Sequence, residues 1–159
     1  MADSVITTNK KERLVAYTPG DSLVVVLYDR AKAVGGMLHV LLPDSRMDKF
    51  SDNSIAFNPY KYVDTAFPHF LKRFIKAGGA RRQAELGIFG GSVLFDGPDC
   101  GQIGRRNLTA MRKAAWQQEM LVHEEYTGRS RVQSVVLDMQ EELVQLVLAD
   151  GRLLTYTEE

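Results

Sequence analysis

Cysteine is nearly absent: Cys100 is the only one in 159 residues. A single thiol excludes an internal disulfide and fits a reducing compartment. Net charge is absent too, because Lys and Arg number 20 and Asp and Glu number 20. The chain therefore lacks the excess of cations that draws a protein to nucleic acid, and pairs such as Arg81-Arg82 and Arg105-Arg106 read as solvated faces. No apolar run approaches the roughly 20 residues of a membrane span. Met1 to Glu12 is polar and charged, without the apolar centre of a signal peptide. These absences predict a soluble cytoplasmic protein with no membrane insertion and no nucleic-acid partner. No two of the histidines and carboxylates stand at ligand spacing, so no metal site is expected. Gly87-Ile88-Phe89-Gly90-Gly91-Ser92 lacks the lysine of a phosphate loop and the spacing of a dinucleotide fingerprint, and Ser92 is not in a Gly-x-Ser-x-Gly elbow. No cofactor is expected. Repeats, linkers and low-complexity segments are also missing, so residues 1–159 read as one domain.

With 45% hydrophobic residues, the chain has enough apolar material for a substantial core. One helix is clear. Val63, Ala66, Phe67, Phe70, Leu71, Phe74 and Ile75 recur at three- and four-residue spacing, with His69 on the polar side. Asn58 or Asp64 would cap it, Pro68 would fall near its first turn, and Gly78-Gly79 would stop it. A second helix is expected from Asn107, as its cap, to about Gln118, with Leu108, Met111, Ala115 and Trp116 inward. Strands are expected at Leu14–Tyr17, Leu23–Leu27, around His39, from Ala84 to Phe95 with an interruption at Gly90-Gly91, and at Met120–Glu125, Arg131–Asp138 and Leu143–Ala149. Asp150-Gly151 marks a hairpin into Arg152–Tyr156. Pro43 to Asn58, with Phe50 and Phe57, reads as a surface loop. Two helices among eight or so strands make an α+β sandwich.

The most informative stretch is Tyr17 to Asp29, read with Gly35 to Pro43. Thr18-Pro19-Gly20-Asp21 has the residues of a type II turn: proline pre-sets φ at the second position and glycine takes the positive φ at the third. Ser22 then sits where the turn enters a buried strand, a place where a side-chain nucleophile is held rigidly. After a short turn at Arg30–Ala33, the second apolar run carries His39 between Leu38 and Val40. Antiparallel pairing of the two runs would set His39 beside Ser22, and a hydroxyl or thiol next to histidine is the minimal activated nucleophile. On pattern alone, a single histidine in an apolar strand reads first as a hydrogen-bonded core residue.

These segments resemble the start of the CheD family, the chemoreceptor glutamine deamidases of bacterial and archaeal chemotaxis. There a Leu-Gly-Ser-Cys-Val turn opens a strand ending in aspartate, and a Gly-Gly-Met-x-His-x-x-Leu-Pro segment follows. The second motif is intact as Gly35-Gly36-Met37-Leu38-His39-Val40-Leu41-Leu42-Pro43. The resemblance continues in order through Tyr62-Val63-Asp64-Thr65-Ala66, Gly79-Ala80, Phe89-Gly90-Gly91-Ser92, Ile103-Gly104-Arg105-Arg106-Asn107 and Thr127-Gly128-Arg129-Ser130-Arg131, spanning about residues 14 to 157. It implies packed mixed β-sheets flanked by helices, a fold shared with the catalytic domain of cytotoxic necrotizing factor toxins. It also implies hydrolysis of a receptor glutamine amide to glutamate through a cysteine thioester. The implied partners are the cytoplasmic helices of methyl-accepting chemotaxis receptors and a CheC-type phosphatase. The glycine pair Gly90-Gly91 would lie close to the active centre.

The departure falls on the nucleophile. Ser22 occupies the cysteine's place, and the family's catalytic threonine position holds Ala16, with Thr18 nearby but out of register. A hydroxyl has no anion fraction comparable to that of a thiol, so it needs an aligned base that is itself oriented by a third group. Asp21 adds a carboxylate beside the reacting position; at ~4–5 Å and an effective dielectric near 20, like charges repel by about 3–4 kcal/mol. Loss of a nucleophile costs ~10⁶ in turnover. The candidate site is thus Ser22, His39 and Thr18, and the favoured reading is a CheD-like protein that binds receptors or the phosphatase without deamidating. The alternatives are a serine–histidine amidohydrolase, or a cysteine enzyme carrying serine, and a non-enzymatic domain for a small ligand. Cys100 reads as an incidental loop thiol.

Overall fold

The computed structural model describes residues 2–17, 20–47, 58–92, 102–128 and 131–156. Phe50, Phe57 and Cys100 lie outside them. Among the described residues are strands β1 (Asp3–Thr7), β2 (Arg13–Tyr17), β3 (Leu23–Asp29) and β4 (Val34–Val40), then helix α1 (Val63–Lys76), β5 (Glu85–Gly90) and helix α2 (Gln102–Gln117). Strands β6 (Glu124–Thr127), β7 (Val132–Asp138), β8 (Leu143–Leu148) and β9 (Leu153–Tyr156) follow. They form a five-stranded sheet in the order β1-β4-β3-β5-β6 and a four-stranded sheet in the order β2-β7-β8-β9. The larger sheet is antiparallel except for the parallel β5–β6 pair, and the smaller is antiparallel throughout. The architecture is the expected α+β sandwich of sheets with helices.

All seven residues of β3 are buried, because both of its faces are covered. Leu23, Val25 and Leu27 point into a cluster with Phe67, Phe70, Phe74 and Met111 of the helices. Val24, Val26 and Tyr28 point the other way, into a cluster with Leu137, Leu146 and Leu148 of the second sheet. The layers are therefore helices, large sheet, small sheet, with β3 in the middle. Each buried aliphatic side chain contributes about 1.5–3 kcal/mol. At the end of β3 the buried Asp29 carboxylate accepts the N–H groups of Lys32 (3.0 Å) and Ala80 (2.9 Å), tying the β3–β4 turn to the segment that follows α1.

The expected α1 is present, with four adjustments. Ile75 is 46% exposed, so the apolar stripe ends at Phe74. Asn58 caps the 3₁₀ turn Pro59–Lys61 instead, and Tyr62 takes the N-cap place of α1 without a side-chain cap. Asp64 lies inside the first turn, where it accepts the N–H (2.9 Å) and Oγ–H (2.7 Å) of Ser45. Pro68 falls in the helix interior, further in than expected.

α2 departs more. It begins at Gln102, so Asn107 is not its cap but a fully buried residue of its second turn, and Trp116 is 78% exposed. Near the end of the chain, residues 120–123 are a connection and the strand runs over Glu124–Thr127, where its parallel pairing with β5 sets the limits. β1 has no counterpart in the sequence reading. No described helix is long and apolar enough to cross a membrane.

Candidate functional site

β3 and β4 pair in a register that sets Val24, two residues beyond Ser22, opposite His39. The result is a 2.7 Å hydrogen bond between Ser22 Oγ and His39 Nε2. Ser22 is 5% exposed and His39 is half-buried. Burial holds the His39 imidazole below its ordinary pKa, because the charged form loses more hydration than the neutral one. A neutral imidazole carrying its proton on Nδ1 accepts the Ser22 hydroxyl proton at Nε2, the orientation of a general base. Among the described residues, no hydrogen bond reaches His39 Nδ1, so the third group of a triad is not supplied there.

The turn that presents Ser22 is fixed through three successive carbonyls. Gly20, at φ +57°, has the positive φ expected of it. Its carbonyl accepts the Ser92 N–H at 2.9 Å, and the Ser22 carbonyl accepts the Gly91 N–H at 2.8 Å. The Asp21 carbonyl accepts Nδ2–H of Asn107 at 3.0 Å. The glycine pair after β5 therefore supports the turn with its backbone. Asn107, expected as a helix cap and as part of the resembling Ile103-Gly104-Arg105-Arg106-Asn107 segment, lies one turn from Gly104 on the buried face of α2. A Cβ at Gly104 would stand 2.6 Å from the Ser92 carbonyl oxygen and 2.7 Å from that of Gly91, so only glycine lets the helix approach this closely.

His39 faces a cleft of about 480 Å³ between the edge strands β1 and β2, lined also by Asp3, Val5, Arg13, Val15, Ala16, Tyr17 and Met37. Val5, Val15 and Tyr17 are exposed here at 47%, 42% and 71%, an apolar wall beside His39. A second cleft of about 490 Å³ between α1 and α2 has a mixed-charge lining, including Asp44, Arg46, Arg105 and Lys113, and touches neither Ser22 nor His39. Asp21 is exposed, so water screens its carboxylate more than the sequence-based repulsion assumed. Thr18 lies outside the described residues, while Ala16 offers no hydroxyl to the cleft it lines. His69 and His123 are exposed on other surfaces, and His123 Nδ1 accepts the Leu86 N–H at 3.2 Å.

Comparison with known proteins bears on the same fold. A family model described as "CheD chemotactic sensory transduction" matches residues 41–147, beginning two residues past His39. A Solibacter usitatus protein named "Probable chemoreceptor glutamine deamidase CheD" is 31% identical over 139 residues, 87% of this chain and 80% of that protein. A Methanococcus vannielii protein of the same name is 32% identical over 123 residues, 77% of this chain and 76% of its own length. A Syntrophus aciditrophicus relative, named as CheD 1, is 29% identical over 140 residues, 88% of this chain and 86% of its own. With a family match over most of its length and relatives that align across four-fifths of theirs, this chain belongs to the CheD family.

Proposed function

We propose that this protein binds the cytoplasmic helices of chemoreceptors at the β1–β2 cleft and engages a receptor glutamine there without deamidating it at a useful rate. The observation that carries the reading is the Ser22–His39 hydrogen bond at 2.7 Å, formed with a hydroxyl and, among the described residues, without a bond to the second ring nitrogen. A receptor partner follows from relatives named for acting on chemoreceptors. The apolar wall of Val5, Val15 and Tyr17 suits the apolar stripe of a helix. The site holds a base hydrogen-bonded to the hydroxyl and a rigid turn, but the nucleophile is weak. A serine hydroxyl must lose its proton as it attacks, and a base without an orienting partner does this poorly. A thiol at the same position would be partly ionised near neutral pH. A CheC-type phosphatase is a second partner of the same surface, and the cytoplasm is the compartment where both would meet it.

The test incubates receptor cytoplasmic fragments with the protein and, in parallel, with its Ser22→Cys variant, and reads glutamine-to-glutamate conversion by mass spectrometry. The expected result is binding by both proteins and conversion by the variant alone. Conversion by the unaltered chain at a comparable rate would overturn the reading and make Ser22 a working nucleophile. Failure of both proteins to bind would remove the receptor from it.

A further inference from the structure

We infer that Asn107 is a positioning residue, whose single amide group sets the distance between Ser22 and His39. Its Nδ2 donates two hydrogen bonds of 3.0 Å, one to the Asp21 carbonyl and one to the Leu41 carbonyl. Asp21 immediately precedes Ser22, and Leu41 stands two residues past His39 at the exit of β4. One planar group therefore joins the turn that carries the hydroxyl to the strand that carries the imidazole. Both acceptors are carbonyls, so they dictate the orientation of the amide and leave Oδ1 facing protein. That oxygen is fully buried and has no hydrogen-bond partner among the described residues. An acceptor buried unpaired is unfavourable, and asparagine is a poor residue for a helix interior. A leucine or methionine here would avoid both penalties and extend the apolar face that Met111, Ala114 and Ala115 already form. Among the described residues, the hydrogen bonds that offset the asparagine are those to the two carbonyls flanking Ser22 and His39.

The rest of the turn explains why this bond matters. The Gly20 and Ser22 carbonyls are held by backbone N–H groups beyond β5, whereas the Asp21 carbonyl is held, among the described residues, from α2. Gly104, one turn earlier on the same face, lets α2 sit close enough for the short asparagine side chain to reach. The inference rests on Ser22 and His39 being the site, and not on what binds there.

The test needs no receptor. In a Ser22→Cys background that also carries Cys100→Ser, the alkylation rate by iodoacetamide across pH 5 to 9.5 reports the introduced thiol's pKa. His39 at hydrogen-bond distance should hold that pKa below the ordinary thiol value of about 8.5. Adding Asn107→Leu should raise the midpoint by about one pH unit and slow alkylation well below the midpoint by about tenfold. Asn107→Asp, isosteric but without donors when ionised, should do the same, and Asn107→Gln should restore part of the shift. A folded Asn107→Leu variant with the parent's profile would overturn the inference, since a merely structural asparagine would move the melting temperature and not the profile. A parent midpoint near 8.5 would overturn the pair and the inference together. If the variants do not fold, hydrogen exchange of the Asn107 side-chain amide in the unaltered chain decides. Protection matching that of the Gly91 and Ser92 amides supports the clamp, and exchange as fast as an exposed amide overturns it.

Discussion

At the scale of single residues, the property that separates His39 from the other two histidines is burial. Its folded-state pKa lies below the ordinary value near 6.5, chiefly because burial disfavours the charged ring. The unfolded chain therefore binds a proton at a higher pH than the folded one does. Between the two pKa values the unfolded state carries more protons, so stability rises with pH through that window and falls as pH drops below about 6.5. Denaturant midpoints measured from pH 7.5 down to 5 should decline with this slope, and His39→Gln should flatten the decline. An unchanged slope in that variant would mean that His39 is not the titrating group. The pairing of His39 with Ser22 was legible in the sequence because two apolar runs with a four-residue turn leave little choice of register. What the sequence did not carry was the lack of an orienting bond on Nδ1 among the described residues, since such a contact depends on how separate elements meet.

At the scale of elements, α2 holds the Ser22 turn while contributing no group to the Ser22–His39 hydrogen bond. Its buried face carries Gly104 and Asn107 before the apolar Met111, Ala114 and Ala115. This is also why its start was misplaced: a buried asparagine near the beginning of an amphipathic stripe looks the same in sequence as a cap. Gly104→Ala would place a methyl 2.6–2.7 Å from two carbonyl oxygens, both backbone, so relief requires moving the helix or the turn. The expected loss is about 1–3 kcal/mol in denaturant unfolding, as for other overpacked sites. Loss of the Ser22 turn's protection from hydrogen exchange should accompany it. A neutral or stabilising alanine would show that α2 is not wedged against the turn. β1 escaped the sequence reading for a related reason. Its buried positions are Ser4 and Thr7, with Ile6 only half-buried, so it shows no apolar alternation. Ser4 is held instead by Arg73 of α1, whose Nη1 donates to its carbonyl and hydroxyl oxygens.

At the scale of the whole molecule, both sheets end on the same side, the larger at β1 and the smaller at β2, and the cleft beside His39 lies between these two edges. The core of such a sandwich was readable in advance, because β3 is an unbroken apolar run and the α1 stripe is regular. The cleft was not, because it needs two edge strands from different sheets to face one another, and one of them was unread. If receptor helices dock here, binding depends on the apolar wall and not on the reactive pair. Val15→Glu and Tyr17→Ala should each weaken binding of a receptor cytoplasmic fragment about tenfold or more, equivalent to at least ~1.4 kcal/mol. Both side chains are exposed at 42% and 71%, so neither change should shift unfolding by more than about 0.5 kcal/mol. Trp116 and Leu121, at 78% and 79% exposure on α2 and the segment after it, are the matched controls. Trp116→Ala and Leu121→Ser should leave receptor affinity unchanged if the cleft is the docking surface. The reverse pattern, with the cleft variants binding normally and the α2 variants losing affinity, would place the receptor away from His39. In that case Ser22 would never meet a receptor glutamine, and the weakness of its nucleophile would have no bearing on what the protein does.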